Sequence, residues 1–129
     1  MRKITATATQ KFFNQTNFKN TASNIAIKSD DETTIFKLYT TTIAILTDNL
    51  SETKLTITYW NYSTNTTLEK IRGILETIPE FYPTKKIFTI RTIKWTIFLI
   101  EYNTATAETT KHIFNNVLTI DLKNDIVII

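Results

Sequence analysis

No cysteine occurs in this chain, glycine and histidine occur once each, and proline occurs twice. Without cysteine there is no disulfide framework, no thiolate metal site and no cysteine nucleophile. A single glycine excludes the Gly-x-Ser-x-Gly elbow of triad hydrolases, the P-loop and the dinucleotide fingerprint. Each of those needs glycine for a sharp turn or for close backbone approach to phosphate. His112 has no acidic or cysteine partners at metal-ligand spacing, so it is read as structural or solvated and no metal site is assigned. The remaining acid–base option is the run Asp30 to Glu32, but it falls in a turn pattern, where carboxylates are solvated and a working pair needs burial. The expectation is a protein that is not an enzyme and takes no cofactor.

Long apolar runs are missing too. The longest patch, "WTIFLI" at Trp95 to Ile100, is far shorter than the roughly 18 to 20 residues of a membrane span. The basic start "MRKITATATQKFF" is not followed by the apolar core of a secretory signal. The expectation is a cytoplasmic protein with no membrane partner.

What is abundant is threonine, at 27 positions, and isoleucine, at 20. Both are β-branched, lose side-chain freedom in a helix and pack well on a pleated surface, so the composition leans to strand. An AT-rich genome would also favour isoleucine, asparagine and lysine over glycine and proline whatever the fold. The 129 residues, 42% of them hydrophobic and 21% charged, suit one globular domain over 1–129. A net charge of +3 is compatible with nucleic acid, but clustering and not total charge decides that affinity.

The order of elements follows from periodicity. Residues 5 to 20 lack clean alternation and predict a short N-terminal helix or an irregular cap over a sheet edge. Ile25 and Ile27 alternate with polar neighbours, and "TTIFKLYT", "TTIAILT" and "TKLTITYW" continue an antiparallel meander. "KSDDETT" and "TDNLSET" supply Asp and Asn turns between its strands. No breaker lies between Phe36 and Ile45, which leaves one long bent strand or two joined by a tight Thr turn.

A helix over about 66–78 follows, with Leu68, Ile71, Leu75 and Ile78 on one face and a capping-box pattern at Thr66 and Glu69. Lys70, Arg72, Glu76 and Thr77 are expected mostly outside, Pro79 is expected to stop the helix, and Gly73 costs about 1 kcal/mol relative to alanine inside it. "KIFTIRT" and "IKWTIFLIEYN" return to strand. "TATAETTKHIFNNVLTIDL" reads as a helical or turn segment before a strand at Val117 to Leu122, and "NDIVII" as an edge strand or a partner contact. The fold class is α+β: an antiparallel sheet of about six to eight strands with one main helix packed on it.

Aromatic and basic residues make the functional candidate. Tyr59, Trp60 and Tyr62 close a strand, and Lys85, Lys86, Arg91, Lys94 and Trp95 belong to the next hairpin. Rings stack on bases while lysine and arginine meet phosphate, so this mix suits single-stranded nucleic acid. The competing reading makes the rings core and the lysines edge-strand guards. Ile126, Val127, Ile128 and Ile129 are the candidate contacts of a homo-oligomer.

The segments "FFNQTNFKNT", "FKLYTTTIAI", "LTITYWNYSTNTT" and "LEKIRGIL", within Phe12 to Ile78, together resemble a group of small phage-encoded proteins. In that group a Phe/Asn-Thr segment precedes a Leu-x-x-x-x-Ile-Ala strand and a Trp-x-Thr-x-Thr-Thr turn into a helix. Tyr59 stands where the group has glycine, Tyr39 to Thr41 where it has His-Gly-Asn, and Lys70 to Arg72 where it has Arg-Leu-Asn. The resemblance covers roughly half the chain. It implies a phage or mobile-element origin, a site of action in the host cytoplasm and a small accessory role. The expectation is macromolecular binding, to host protein or nucleic acid; the alternative is a virion or self-assembling component using strand edges and the apolar tail.

Overall fold

The computed structural model describes residues 2–20, 24–58, 65–114 and 117–128. Among them the antiparallel α+β class holds, with ten strands in two sheets and two helices. The four-stranded meander forms as read, as β2 (Ile25–Lys28), β3 (Thr33–Leu38), β4 (Thr41–Asp48) and β5 (Thr53–Thr58), and the short β1 (Phe18–Lys19), inside the stretch expected as helix or cap, adds a strand before it. Between β5 and its antiparallel neighbour β9 (Val117–Asp121), the chain leaves to build α2 (Asn65–Phe81) and a separate sheet of β6 (Lys86–Ile93), β7 (Thr96–Asn103) and β8 (Glu108–Ile113). On its return β9 and β10 (Ile126–Ile128) complete a seven-stranded sheet ordered β1-β2-β3-β4-β5-β9-β10.

The meander turns rest on side-chain acceptors. Asp30 Oδ1 accepts the amides of Glu32 and Thr33, both at 2.8 Å, and Asn49 Oδ1 accepts those of Ser51 and Glu52 at 2.9 and 2.8 Å. Asp121 does the same for Lys123 and Asn124, and the Asn124 amide bonded to its other oxygen is the main reason its carboxyl lies below the usual range. Phe36 to Ile45 resolves into two strands with a turn at Tyr39–Thr40 and a bulge at Phe36/Lys37.

With one glycine in the chain, left-handed backbone falls to other residues: Gln15, Tyr39, Lys94, Trp95, Ala107 and Asp125 all have positive φ. Each such residue costs about 1–2 kcal/mol from the crowding of Cβ against the carbonyl. Gln15, at φ 54°, fills the position after a helix where glycine is usual, and the amides of Gln15 and Thr16 reach Phe12 and Lys11 at 3.1 and 2.9 Å.

The N-terminal segment is helix α1 (Lys3–Phe13), and it lies against the β1–β3 end of the large sheet. Thr5, Ala8, Thr9, Phe12 and Phe13 recur at helical spacing and are buried. Small side chains let α1 approach α2, with Thr9 Oγ1 3.2 Å from Thr77 Oγ1. Gly73 sits one turn from both Lys70 and Thr77, two of the α2 residues bonded to α1, which explains its place inside the helix. At the far end the Phe13 ring stacks on Phe81 at 5.4 Å and meets Tyr82 edge-on at 6.1 Å.

Several expectations for α2 are corrected. The helix passes through Pro79 to Phe81 because the Phe81 and Tyr82 contacts hold the last turn, closed by Tyr82 N–H to Ile78 O at 3.0 Å. Glu69 makes no capping box: the helix begins at Asn65, which puts Thr66 inside the first turn, and Glu69 Oε1 instead accepts Thr5 Oγ1 at 2.7 Å. Lys70 and Thr77, expected outside, are buried. Lys70 Nζ donates to Thr5 Oγ1 at 2.6 Å and pairs with Glu69 Oε1 at 3.2 Å, so α1 covers the face that an isolated helix would give to water. The stretch read as helix or turn before Val117 is a turn followed by strand β8. One core runs from both helices through both sheets, including Phe12, Phe36, Leu55, Ile74, Phe88, Leu99 and Ile120.

Candidate functional site

The small sheet has two unlike faces. Cross-strand partners share a face and alternate residues switch faces, so the registers place Phe88, Ile90, Ile97, Leu99 and Phe114 together, all buried in the core. The other face carries Ile87, Arg91 and Ile93 from β6, Phe98, Ile100 and Tyr102 from β7, and Lys111 and Ile113 from β8. No residue on that face is buried, and none is acidic. Arg91, Phe98 and Ile113 form one cross-strand row, and Thr89, Ile100 and Lys111 the next. The Glu76 carboxylate reaches the border, accepting Thr89 Oγ1 at 3.4 Å.

The free edge of β6 is closed by α2, whose Arg72 Nε donates to Ile90 O at 3.4 Å. A helix over an edge strand blocks further pairing there. At the opposite end β6 turns into β7 through Lys94 and Trp95 alone, two residues later than the break expected in the sequence. Both have positive φ, 49° and 69°, as a type I′ hairpin turn requires. That turn normally takes Asn-Gly; here it holds a tryptophan 98% exposed to solvent. Strain of this kind persists where the surrounding structure over-determines it, and it clusters at binding sites.

Of the residues expected at the site, the structure brings together Arg91, Lys94 and Trp95, on the outer face and its tip. Lys85 is exposed but lies nine residues from the tip, about 30 Å along an extended strand. Its amide donates to Asp125 Oδ2 at 3.1 Å and its carbonyl accepts from Thr104. Lys86 turns to the inner face, where Nζ donates to Asp125 O at 2.6 Å and pairs with Glu101 Oε1 at 3.1 Å. Tyr59, Trp60, Tyr62 and the polar turn that follows them lie outside the described residues, as does Ile129. Phe98, Tyr102 and Lys111 belong to the face but were not among the expected residues. Their signal is the period-two pattern of β7 continued into β8, a strand whose polar sequence reads as helix or turn.

The lone histidine is engaged: His112 Nε2 lies 2.8 Å from Glu101 Oε2. Glu101 thus bridges His112 and Lys86, and the carboxylate of Asp125 accepts the Thr84 hydroxyl beside them. This polar chain fastens the β9–β10 turn to the start of β6. Among the described residues no group of three His, Asp or Glu side chains could hold a metal ion, and no helix is long and apolar enough to cross a membrane. β10 is the edge of the large sheet, with Ile126 and Ile128 about half exposed and Val127 packed against the core.

No family model, curated protein or solved structure matches this chain.

Proposed function

We propose that this chain is a non-enzymatic accessory protein of phage or mobile-element origin that binds single-stranded nucleic acid on the outer face of its small sheet. The observation that carries the reading is that face. Phe98 and Tyr102 stand on a sheet surface with Arg91 and Lys111, to which the strands contribute no acidic residue and only Glu76 of α2 reaches the border, and the strained turn adds Lys94 and an exposed Trp95 at one end. Bases stack on such rings whatever their sequence, while the cations meet the phosphates.

Fluorescence anisotropy with short labelled DNA and RNA strands tests it. Three cations on three phosphates give a slope of log K against log salt of about −2 for a single strand, and Arg91→Ala or Lys111→Ala lowers it by about 0.7 each. Trp95→Ala weakens binding by about 1–3 kcal/mol if one base stacks there. Absence of salt-sensitive binding at micromolar protein sinks the proposal.

The second reading is self-assembly through β10. It is favoured by an edge strand whose outer side has no partner strand, charge, proline or bulge among the described residues, with Ile126 and Ile128 exposed. Ile128→Lys tests it more cleanly than truncation, which would also remove the Asp125 contacts to Thr84 and Lys85. A scattering mass equal to one chain in both the parent and Ile128→Lys counts against assembly.

A further inference from the structure

A second site of different design lies at the other end of the molecule's strand order. β1 has only two residues, and β3 runs past the start of β2 into the Tyr39–Thr40 turn. These unequal lengths leave a cleft of about 460 Å³ at the β1–β2 border, within the range of small-ligand sites. Lys19, Ile25 and Lys37 form one cross-strand row in it, on the face opposite the Phe18–Ala26–Phe36 row, in which Ala26 and Phe36 are buried and Phe18 is partly buried. The two lysines flank Ile25 on either side, and neither has a hydrogen-bond or ion-pair partner among the described residues. No carboxylate lines the cleft. The two lysines stand about 10 Å apart across the row, so an anion lying over Ile25 is within reach of both long side chains.

The remaining walls narrow the ligand further. Tyr39 is mostly exposed at φ 59° and stands at one end, with its ring held out by a backbone conformation unfavourable to tyrosine. Ile25 and Ile27, alternate residues on the same face, add apolar surface. Asn17 Oδ1 already accepts the Lys28 amide at 2.8 Å, which leaves its Nδ2 free to donate. Paired ammonium groups, a ring for stacking and a polar donor match a ligand that joins a phosphate to a flat aromatic body.

We propose that this cleft binds a phosphate-bearing aromatic ligand of the nucleoside monophosphate class. Lys19 and Lys37 would hold the phosphate, Tyr39 the base, and Asn17 a polar edge. The site shares no residue with the small-sheet face, and the two stand or fall separately.

The test is a titration of the full chain with adenosine monophosphate, followed by amide shifts in heteronuclear NMR. Saturable shifts are expected at Lys19, Ile25, Lys37 and Tyr39. A hydrogen bond to a charged partner is worth enough that Lys19→Ala or Lys37→Ala should each weaken binding about tenfold. Lys37→Arg should retain it. Adenosine without phosphate, and inorganic phosphate alone, should each bind more weakly than the joined ligand. A labelled oligonucleotide separates the two sources of the same chemistry. Trp95→Ala should leave the mononucleotide affinity unchanged, and the lysine double variant should abolish it with an unchanged circular dichroism spectrum. No saturable shift at millimolar ligand overturns the proposal. So does equal affinity in the lysine double variant, adenosine binding as tightly as its phosphate, or shifts confined to the small sheet.

Discussion

Replacing Lys94-Trp95 by Asn-Gly should make the protein more stable and, at the same time, a poorer binder. Both residues have positive φ, at a cost of about 1–2 kcal/mol each for a side chain bearing a Cβ. Asparagine tolerates this region, and glycine occupies it without steric penalty. Trp95 is 98% exposed and Lys94 is exposed as well, so their removal forfeits no burial. Against the relief stands the greater freedom of glycine in the unfolded chain, about 0.5–1 kcal/mol. The net gain is about 1–3 kcal/mol. At roughly 4 °C per kcal/mol for a domain of this size, that raises Tm by about 4–12 °C. Urea unfolding followed by far-ultraviolet circular dichroism reads it directly: the midpoint moves up and the slope m stays constant. A gain below about 0.5 kcal/mol refutes the strain argument. If strand binding survives the exchange, the strain has no functional counterpart and Trp95 is not a contact.

Three further outcomes concern α2 and the residue that follows it. Lys70→Ala should cost about 2–4 kcal/mol, because it opens a cavity between α1 and α2, whereas Lys70→Met should recover most of that by refilling it; denaturant midpoints decide. Pro79→Ala should stabilise by about 1–2 kcal/mol in the same assay, since the new amide can donate within the last turn of α2. Tyr82 donates to Asp48 Oδ2 at 3.2 Å, and its phenol is pushed above the usual range, first by burial and then by the Asp48 charge. A raised folded pKa favours the neutral form. Its stabilising share is therefore complete below about pH 10 and is lost as pH rises through the folded value. Tyr82→Phe should lower stability by about 1–2 kcal/mol at neutral pH, and its stability should fall less steeply than that of the parent above pH 10. Parallel curves would refute that linkage.

Local chemistry by itself determined much of this protein. Strand-favouring runs of threonine and isoleucine set β2 to β5, although in β2 it is Ala26 that is buried while Ile25 and Ile27 face outward; Asp30 and Asn49 set their turns, and the spacing of Leu68, Ile71, Leu75 and Ile78 set α2. These signals depend on neighbours a few residues apart, which a sequence displays directly. The absence of glycine beyond Gly73 also announced that turns would be made by less suitable residues, though not which ones. Tertiary structure alone decided the rest. Lys70 is interior because α1 covers it, and α2 outlasts Pro79 because Phe13 packs on Phe81 and Tyr82. Thr109, Lys111 and Ile113 look like solvated turn residues until β7 is laid beside them. Arg91 and Lys86 differ only by an odd number of positions along one strand, yet they point to opposite faces, and only the burial of Phe88 and Ile90 against the core says which face meets solvent. The exposed Trp95 turn and the Lys19–Lys37 row are likewise products of register, which pairs residues far apart in the chain and leaves no short-range pattern to read.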